Sequence, residues 1–270
     1  MNILFVGDVF GRPGRDALIE RLPSLVLERS LDFVIANGEN AASGAGITSK
    51  IATALLKGGV DVLTTGNHVW RQREVLPFLQ SERRIVRPAN YPAGSPGRSL
   101  TVQDTKGGEP VAVVNLSGAL FMDIGISPFR VIDSLVEQAR AQAETVIVDF
   151  HAEATSEKVA MGHYLDGRVT AVLGTHTHVQ TSDARVLPGG TAYVTDVGMT
   201  GPKESVIGVS TEVILRRFLT EMPQQFVVAG GPVRMDYAVV TADKGRALAV
   251  ETRSETFASQ ARDESARGSP

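Results

Sequence analysis

Residues 169–178, VTAVLGTHTH, join a short apolar run to two histidines that are separated by one residue. The run is rich in Val and Leu and has the length of a buried strand. Further apolar runs lead into Gly, Asn, Asp or His, directly or after two threonines, at 3–6, 33–36, 60–63 and 146–150. Ligands of α/β proteins bind beyond the carboxyl ends of the strands. The polar residues that follow these runs are therefore the candidates for a functional site.

Helical patterns separate several of the strand-like runs, which predicts an α/β fold. They lie at 13–27, 49–57, 131–143, 156–164 and 211–219. Two hairpin signals interrupt the alternation: Lys106-Gly107-Gly108-Glu109 within 98–116, and Pro188-Gly189-Gly190 within 185–194. A last β region extends over 226–252. We therefore predict two mixed sheets packed together and flanked by helices, a four-layer α/β/β/α sandwich.

Length and composition indicate one globular domain. The 270 residues include 43% hydrophobic and 21% charged residues, and no linker is evident, so we predict a single domain over 1–254. The polar segment 255–270 is predicted to be a disordered tail. There is no cysteine, which excludes disulfides, thiolate metal sites and cysteine nucleophiles.

Charge and hydropathy limit the partners and the compartment. The net charge of −3 argues against a general electrostatic grip on nucleic-acid backbones, although it is compatible with a small phosphate ligand. No apolar run approaches the roughly 20 residues of a membrane span. The first residues lack the basic region and cleavage site of a signal peptide. We therefore expect a cytoplasmic protein without a membrane contact, and assembly into a homo-oligomer stays open.

Eight polar residues at the ends of the strand-like runs have the chemistry of a metal site. They include four of the five histidines, and they are Asp8, Glu39, Asn40, Asn67, His68, His151, His176 and His178. Carboxylate, imidazole and amide oxygen together suit iron, manganese or zinc. Two cations about 3.5–4 Å apart need more than one carboxylate to offset their charge. Asp8 and Glu39 are the best placed acids for that purpose.

Single residues of this set also have structural explanations. Asp8 and Asn67 each fit a helix cap or a turn, and His151 alone fits a hydrogen-bonded interior histidine. The pair His176 and His178 is harder to explain in that way. Alternate residues of an extended segment point in the same direction, so both rings can face one metal centre. Three further polar residues are predicted to be structural: Asp149, His163 and Asp166.

The order of the motifs resembles that of the calcineurin-like metallophosphoesterases. The matching blocks are Gly7-Asp8, Gly38-Glu39-Asn40, Gly66-Asn67-His68, His151 and Gly174-Thr175-His176-Thr177-His178. Three longer words are similar to the bacterial YmdB-type phosphodiesterases, namely NGENAA at 37–42, DFHAEATSEK at 149–158 and TDVGMTG at 195–201. The resemblance covers residues 1 to about 252 and implies the metallophosphoesterase fold.

The resemblance also implies two divalent or trivalent metal ions, with iron preferred and manganese or zinc as alternatives. The residues implied to hold one ion are Asp8, Glu39, Asn40 and His178, and those implied to hold the other are Glu39, Asn67, His151 and His176. Glu39 is the implied bridge and stands where the broader family has Asp. The block Asp8-Val9-Phe10 departs from the usual Asp-x-His, and Asn40 is implied to take the vacant ligand position.

The substrate that the resemblance implies is a small-molecule phosphodiester, a cyclic nucleotide of the 2′,3′ or the 3′,5′ type. The implied metals would acidify water and offset phosphoryl charge. His68 lies beside Asn67 and is predicted to protonate the leaving alkoxide, since imidazole titrates near the working pH. Arg87, Asn90 and Thr200 lie in Pro/Gly-rich loops, where a substrate contact and a structural turn fit equally well.

Two other functions stay open. A phosphomonoesterase or protein phosphatase would use the same metal site and would differ only in the walls of its pocket. A metal-bound regulatory protein would need little turnover. A dinucleotide-binding fold is disfavoured, because Gly7-Asp8-Val9-Phe10-Gly11 lacks the G-x-G-x-x-G pattern and gives a histidine cluster no role.

Overall fold

The computed structural model describes residues 1–258. Within that range the strands are β1 Asn2–Val6, β2 Asp8–Val9, β3 Phe33–Asn37, β4 Val62–Thr64, β5 Leu100–Asp104, β6 Pro110–Ser117, β7 Thr145–His151, β8 Ala171–Thr175, β9 Arg185–Val186, β10 Ala192–Val194, β11 Met199–Pro202, β12 Val233–Asp243 and β13 Arg246–Phe257. The α-helices are α1 Gly11–Glu28, α2 Ser49–Lys57, α3 Leu76–Ser81, α4 Ile132–Arg140, α5 Thr155–Leu165 and α6 Thr211–Thr220.

Both sheets are mixed. The first has seven strands, with the order β2-β11-β12-β1-β3-β4 and with β13 paired to β12. In it, β1, β3 and β4 are parallel, and β12 is antiparallel to its neighbours. The second sheet has the order β5-β6-β7-β8-β10-β9, in which the four central strands are parallel and the two edge strands are antiparallel. The prediction of two mixed sheets is confirmed.

Alternation along β1 explains the layers. Ile3 and Phe5 belong to the apolar core between the two sheets, together with Ile147 of β7 and Leu173 of β8. Leu4, like Val6, faces the other way and packs in the core that includes α1 and α2. This is the period of two that a strand imposes on its side chains. The outer face of the second sheet packs on α4 and α5, which completes the α/β/β/α order.

The predicted helices and the strand ends discussed above are present, with ends shifted by at most three residues. Both predicted hairpins also form, as β5–β6 and β9–β10. The short helix α3 and the two-residue strand β2 have no counterpart in the prediction. The last β region begins later than predicted, because residues before Val233 contribute only a bridge between Val228 and Val209.

The prediction of a disordered tail from residue 255 is wrong for its first residues. Glu255 belongs to β13, and its carboxylate accepts hydrogen bonds from Arg21 Nε at 2.7 Å and from the Tyr237 hydroxyl at 2.6 Å. Polar composition alone could not reveal these partners, which come from distant parts of the chain. The rest of the predicted tail, 259–270, lies outside the described residues. No helix within 1–258 is long and apolar enough to cross a membrane.

The carboxyl ends of the parallel strands of both sheets meet at one edge of the sandwich. Glu39 follows β3 in the first sheet, and His151 ends β7 in the second. Glu39 Oε1 lies 3.0 Å from His151 Nε2, which joins the two sheets at this edge. The polar residues that follow the strands therefore converge, although they are spread over most of the sequence.

Candidate metal centre

All eight residues predicted for the site lie at this edge. The residues of the first sheet are Asp8 at the start of β2, Glu39 and Asn40 after β3, and Asn67 and His68 after β4. Those of the second sheet are His151 at the end of β7, and His176 and His178 after β8. Asn67, His68 and His176 are partly exposed, and the other five are buried. Burial of so many polar groups requires partners for each of them.

The first group of side chains surrounds Nε2 of His151. This nitrogen lies 3.0 Å from Glu39 Oε1, 3.1 Å from Asn67 Oδ1 and 3.0 Å from His176 Nδ1. Glu39, His151 and His176 each offer one ligand atom, and these atoms all lie within 4.8 Å of one another, so the three residues can hold a metal ion. The amide oxygen of Asn67 completes a set of mixed N/O donors of the type that iron, manganese and zinc accept.

The ring of His151 is held from behind by a hydrogen-bonded chain. Thr175 Oγ1 donates to Asp149 Oδ1 at 2.7 Å, so the hydroxyl can accept from His151 Nδ1, which lies 2.9 Å away. Asn37 Nδ2 donates to the other oxygen of Asp149 at 2.9 Å. Burial raises the pKa of Asp149 to about 6, although the His151 charge and the hydrogen bond from Thr175 oppose that rise. This hydrogen-bonded chain orients the His151 ring so that its Nε2 points at Glu39, Asn67 and His176.

The protonation states of the His176 and His151 rings suit a site that binds a cation. Burial, and then the charge of His151, lower the pKa of His176 to about 3, so this ring is neutral. Its Nε2–H donates to Glu153 Oε2 at 3.0 Å and leaves the Nδ1 lone pair toward His151. Burial lowers the pKa of His151, but the carboxylate of Glu39 outweighs it and raises the pKa to about 9. The proton on His151 Nε2 therefore faces three acceptor atoms, from Glu39, Asn67 and His176. A bound metal ion would replace this proton.

The second group consists of Asp8, Asn40 and His178. His178 Nδ1 lies 2.9 Å from the Ile207 carbonyl and can donate to it, so Nε2 is the ring nitrogen that faces Asn40 Oδ1 at 3.2 Å and Asp8 Oδ1 at 3.9 Å. Asn40 Nδ2 donates to the Gly44 carbonyl at 2.9 Å, which turns its Oδ1 toward His178. A ring nitrogen, an amide oxygen and a carboxylate oxygen of these three side chains thus converge on one another.

The environment of Asp8 shows whether a cation fits between Asp8, Asn40 and His178. Its Oδ2 accepts from the backbone N–H of His176 at 3.1 Å, but its Oδ1 is buried and has no hydrogen-bond partner within residues 1–258. Burial raises the pKa of Asp8, with the charges of His178 and His151 opposing. A buried carboxylate oxygen without a partner is costly. A metal ion between Asp8, Asn40 and His178 would remove that cost, so the residues present fit the metal.

Glu39 touches the first group and His68. Its Oε2 accepts from the His68 backbone N–H at 3.1 Å, and its Oε1 lies 3.2 Å from His68 Nδ1. Burial would raise the pKa of Glu39, but His151 and His68 hold it well below the usual value, so the carboxylate is ionised. A charged carboxylate that contacts the first group and precedes Asn40 of the second in the chain suits a bridge, and the bridging role stays a prediction.

The segment after β8 is not extended, contrary to the prediction. His176 and His178 have φ values of 102° and 65°, in a region that residues other than Gly rarely adopt. The two rings consequently turn to different groups rather than to one centre. Such backbone strain is tolerated where the surrounding structure over-determines it, as at functional sites. Gly66 also permits the close packing here, since a Cβ would lie 2.2 Å from Glu39 Oε2.

A cavity of about 340 Å³ opens beside both groups. His68 lines it, and the side chain is 27% exposed, so the ring can reach a ligand there. Phe10 occupies the place of the histidine in the usual Asp-x-His block and lines the cavity too. Its ring meets that of His178 edge-on, with the centroids 5.6 Å apart.

The three loop residues considered as substrate contacts have internal positions. Arg87 donates to the carbonyls of Pro88, Ser95 and Pro96, and Asn90 Nδ2 donates to Ser117 and Ile126 carbonyls. Thr200 is buried in β11. For Arg87 and Asn90 the structural alternative accounts for the side chain. Of the residues predicted to be structural, His163 is exposed on α5 and Asp166 accepts from Gly189 N–H at 2.8 Å.

Sequence reasoning missed the residues that hold the ligand candidates. Thr175, Glu153 and Asn37 each contact a candidate histidine, with Asn37 Nδ2 at 3.5 Å from His151 Nδ1, whereas Asp149 acts one step further away. A signal was present, because all four lie inside the motif words that carry the family resemblance. Asp149 was assigned a structural role, and the structure places its carboxylate behind the His151 ring, where it accepts a hydrogen bond from Thr175.

Comparisons with known proteins show the family and the fold of this chain. A model of the YmdB-like protein family matches residues 4–253. The chain is 47% identical over 251 residues to the 2′,3′-cyclic-nucleotide 2′-phosphodiesterase of Bacillus subtilis (strain 168), over 93% of this chain and 95% of that protein. It is 32% identical to a novel phosphatase of Mycoplasma pneumoniae, whose crystal structure it matches with a TM-score of 0.87 over 96% of this chain and 94% of that one.

A more distant likeness shows the fold alone. The calcineurin-like phosphoesterase YfkN of Bacillus subtilis is 10% identical and matches with a TM-score of 0.51 over 96% of this chain and 90% of that one. The family match and the close relatives together cover nearly the whole described chain. The chain belongs to the YmdB-like family, and its fold is that of the calcineurin-like phosphoesterases.

Proposed function

We propose that this protein is a phosphodiesterase that uses two metal ions to hydrolyse 2′,3′-cyclic nucleotides. The observation that carries the proposal is the orientation of three histidine rings, those of His151, His176 and His178. Each has one ring nitrogen directed at other ligand candidates, while its second nitrogen contacts Thr175, Glu153 or the Ile207 carbonyl. Metal-binding histidines are held in this way. The substrate class is supported by the name of the Bacillus relative.

We assign the ligands as two sets that share Glu39. Asn67, His151 and His176 form one set with it, and Asp8, Asn40 and His178 form the other. Ions bound there supply Lewis-acid chemistry, which acidifies water and offsets the charge of the phosphoryl oxygens. Iron or manganese is preferred, because the donors are nitrogen and oxygen and the chain has no thiolate.

We assign His68 as the general acid that protonates the leaving oxygen. Its Nδ1 is 3.2 Å from Glu39 Oε1, which orients the ring and leaves Nε2 as the nitrogen that donates to the leaving oxygen. Asn67 precedes it in the chain, so the ring reaches the substrate without being needed for the metal. Positioned general acids typically contribute about 10²–10⁴-fold.

Metal analysis and a substrate panel test the proposal together. We expect about two iron or manganese ions per chain, and turnover of 2′,3′-cyclic nucleotides above that of 3′,5′-cyclic nucleotides, p-nitrophenyl phosphate and a phosphopeptide. His176→Ala should lose metal and activity, and the exposed His163→Ala is the matched control that should lose neither. Preferred hydrolysis of the monoesters would favour a phosphatase instead. Metal-loaded protein without turnover on any of the substrates would favour a regulatory role.

A further inference from the structure

We propose that the nucleobase of the substrate stacks on Phe226, on a hydrophobic wall of the cavity beside the proposed metal centre; this inference rests on the proposed function. The hydrophobic wall consists of Phe10, Ile207, Val209, Phe226, Val227 and Val228. The same cavity is also lined by charged and polar groups, among them Glu39, His68 and His178. A cyclic nucleotide likewise combines the two kinds of surface, with a charged phosphate at one end and a flat base at the other.

The wall exposes more apolar surface than a closed core would leave. Ile207 is 48% exposed, Phe226 48% and Val227 54%. Phe226 and Val227 are consecutive residues, and all three side chains line a cavity of about 340 Å³, which is within the size range of small-molecule sites. Contiguous exposed apolar groups next to a polar centre mark a place where a ligand covers them.

Phe226 is held as a stacking platform. Arg217 of α6 lies over its ring, with Cζ 5.0 Å from the centroid. Arg217 is not among the described residues that line the cavity, whereas Phe226 is, so we assign Arg217 to the ring face away from the cavity. The neighbouring backbone is fixed as well, because Ser210 N–H donates to the Val227 carbonyl at 2.9 Å. The cavity face of the ring is therefore available to a flat partner.

The chemistry of the wall predicts what it recognises. Its six side chains are hydrocarbon and carry no hydrogen-bond donor or acceptor, whereas every base has a π face. Stacking of this kind tolerates any base sequence. The wall should therefore detect the presence of a base but discriminate weakly among the four bases. We expect kcat/KM values for the four 2′,3′-cyclic nucleotides within about tenfold of one another, with purines favoured.

Phe226→Ala tests the platform. Loss of one base–aromatic stack should lower kcat/KM for 2′,3′-cyclic AMP by about 5- to 150-fold. The loss should appear mainly in KM, since the stack binds the ground state and the transition state equally. Phe226→Trp should retain activity. Phe218→Ala is the matched control, because Phe218 is a more exposed phenylalanine, 74%, outside the lining of the cavity in residues 1–258.

A substrate without a base separates this inference from the proposed function. The 2′,3′-cyclic phosphate of 1-O-methylribose keeps the reacting group, and wild type and Phe226→Ala should hydrolyse it equally. Equal losses on both substrates, or a normal KM for 2′,3′-cyclic AMP in the variant, would overturn the base site while the phosphodiesterase stands. Wild-type protein that hydrolyses neither substrate would remove the proposed function and the base site together.

Discussion

Thr175→Val removes a single buried hydroxyl behind the metal centre. The hydroxyl donates to Asp149 Oδ1 at 2.7 Å, lies 2.9 Å from His151 Nδ1 and is also 3.3 Å from the Asn37 amide nitrogen. Valine nearly preserves the shape but leaves one carboxylate oxygen and one ring N–H unsatisfied. Each such group costs about 1–3 kcal/mol. Because Asn37 can rearrange toward Asp149, we expect the metal-free protein to lose about 2–4 kcal/mol of unfolding free energy.

The effect on the metal should exceed the effect expected from stability alone. Without the hydroxyl, neither the tautomer nor the orientation of the His151 ring is held. Loss of a partner behind a ligating histidine typically costs about 10–100-fold in metal affinity. We expect a loss in that range for Mn²⁺, measured by titration against a competing chelator. Urea unfolding of the metal-free protein gives the stability change separately.

Thr170→Val is the matched control, because Thr170 directly precedes β8 at the end opposite to Thr175. The Thr170 hydroxyl is equally buried, accepts from Val146 N–H at 3.0 Å and donates to the Gly245 carbonyl at 2.8 Å. Its loss should cost a similar unfolding free energy but leave Mn²⁺ affinity unchanged. The reasoning is refuted if Thr175→Val binds Mn²⁺ as tightly as wild type, or if both variants lose affinity equally.

Three further results are expected. Glu39→Gln should lose more activity than Asn40→Ala, because it removes charge from both proposed metal positions. Its loss should also exceed the roughly 10–100-fold that is typical when a residue hydrogen-bonded to a metal ligand is removed. Equal mild losses of the two variants in a steady-state assay would contradict the bridging role. His68→Ala should keep its metal but lose about 10²–10⁴-fold in kcat on poor leaving groups and less on a nitrophenolate, and unchanged kcat values would exclude the general acid. Chelation should lower the melting temperature, since metal at 100-fold its Kd contributes about 2.7 kcal/mol; an unchanged temperature would argue against an occupied site.

The sequence alone was sufficient for the fold class and for picking out the eight polar residues that meet at one edge of the sandwich. Val-rich runs that end in Gly and a polar residue are local signals, because strand length, burial and the sharp exit are properties of a few consecutive residues. VTAVLGTHTH therefore indicated both β8 and the two histidines. The eight residues so identified all lie at one edge of the sandwich. Their grouping around ions stays a prediction that metal analysis will test.

Contacts between distant residues decided the rest. Asn37 and Asp149 are 112 positions apart, and Arg21 and Glu255 are 234 apart, so neither partner could be read from its own neighbourhood. The left-handed backbone at His176 and His178 sends their rings to different groups, against the local expectation of an extended segment. Side-chain direction, partner choice and the position of the hydrophobic wall depend on how two sheets pack. That packing is set by the whole core, and no short stretch of sequence contains it.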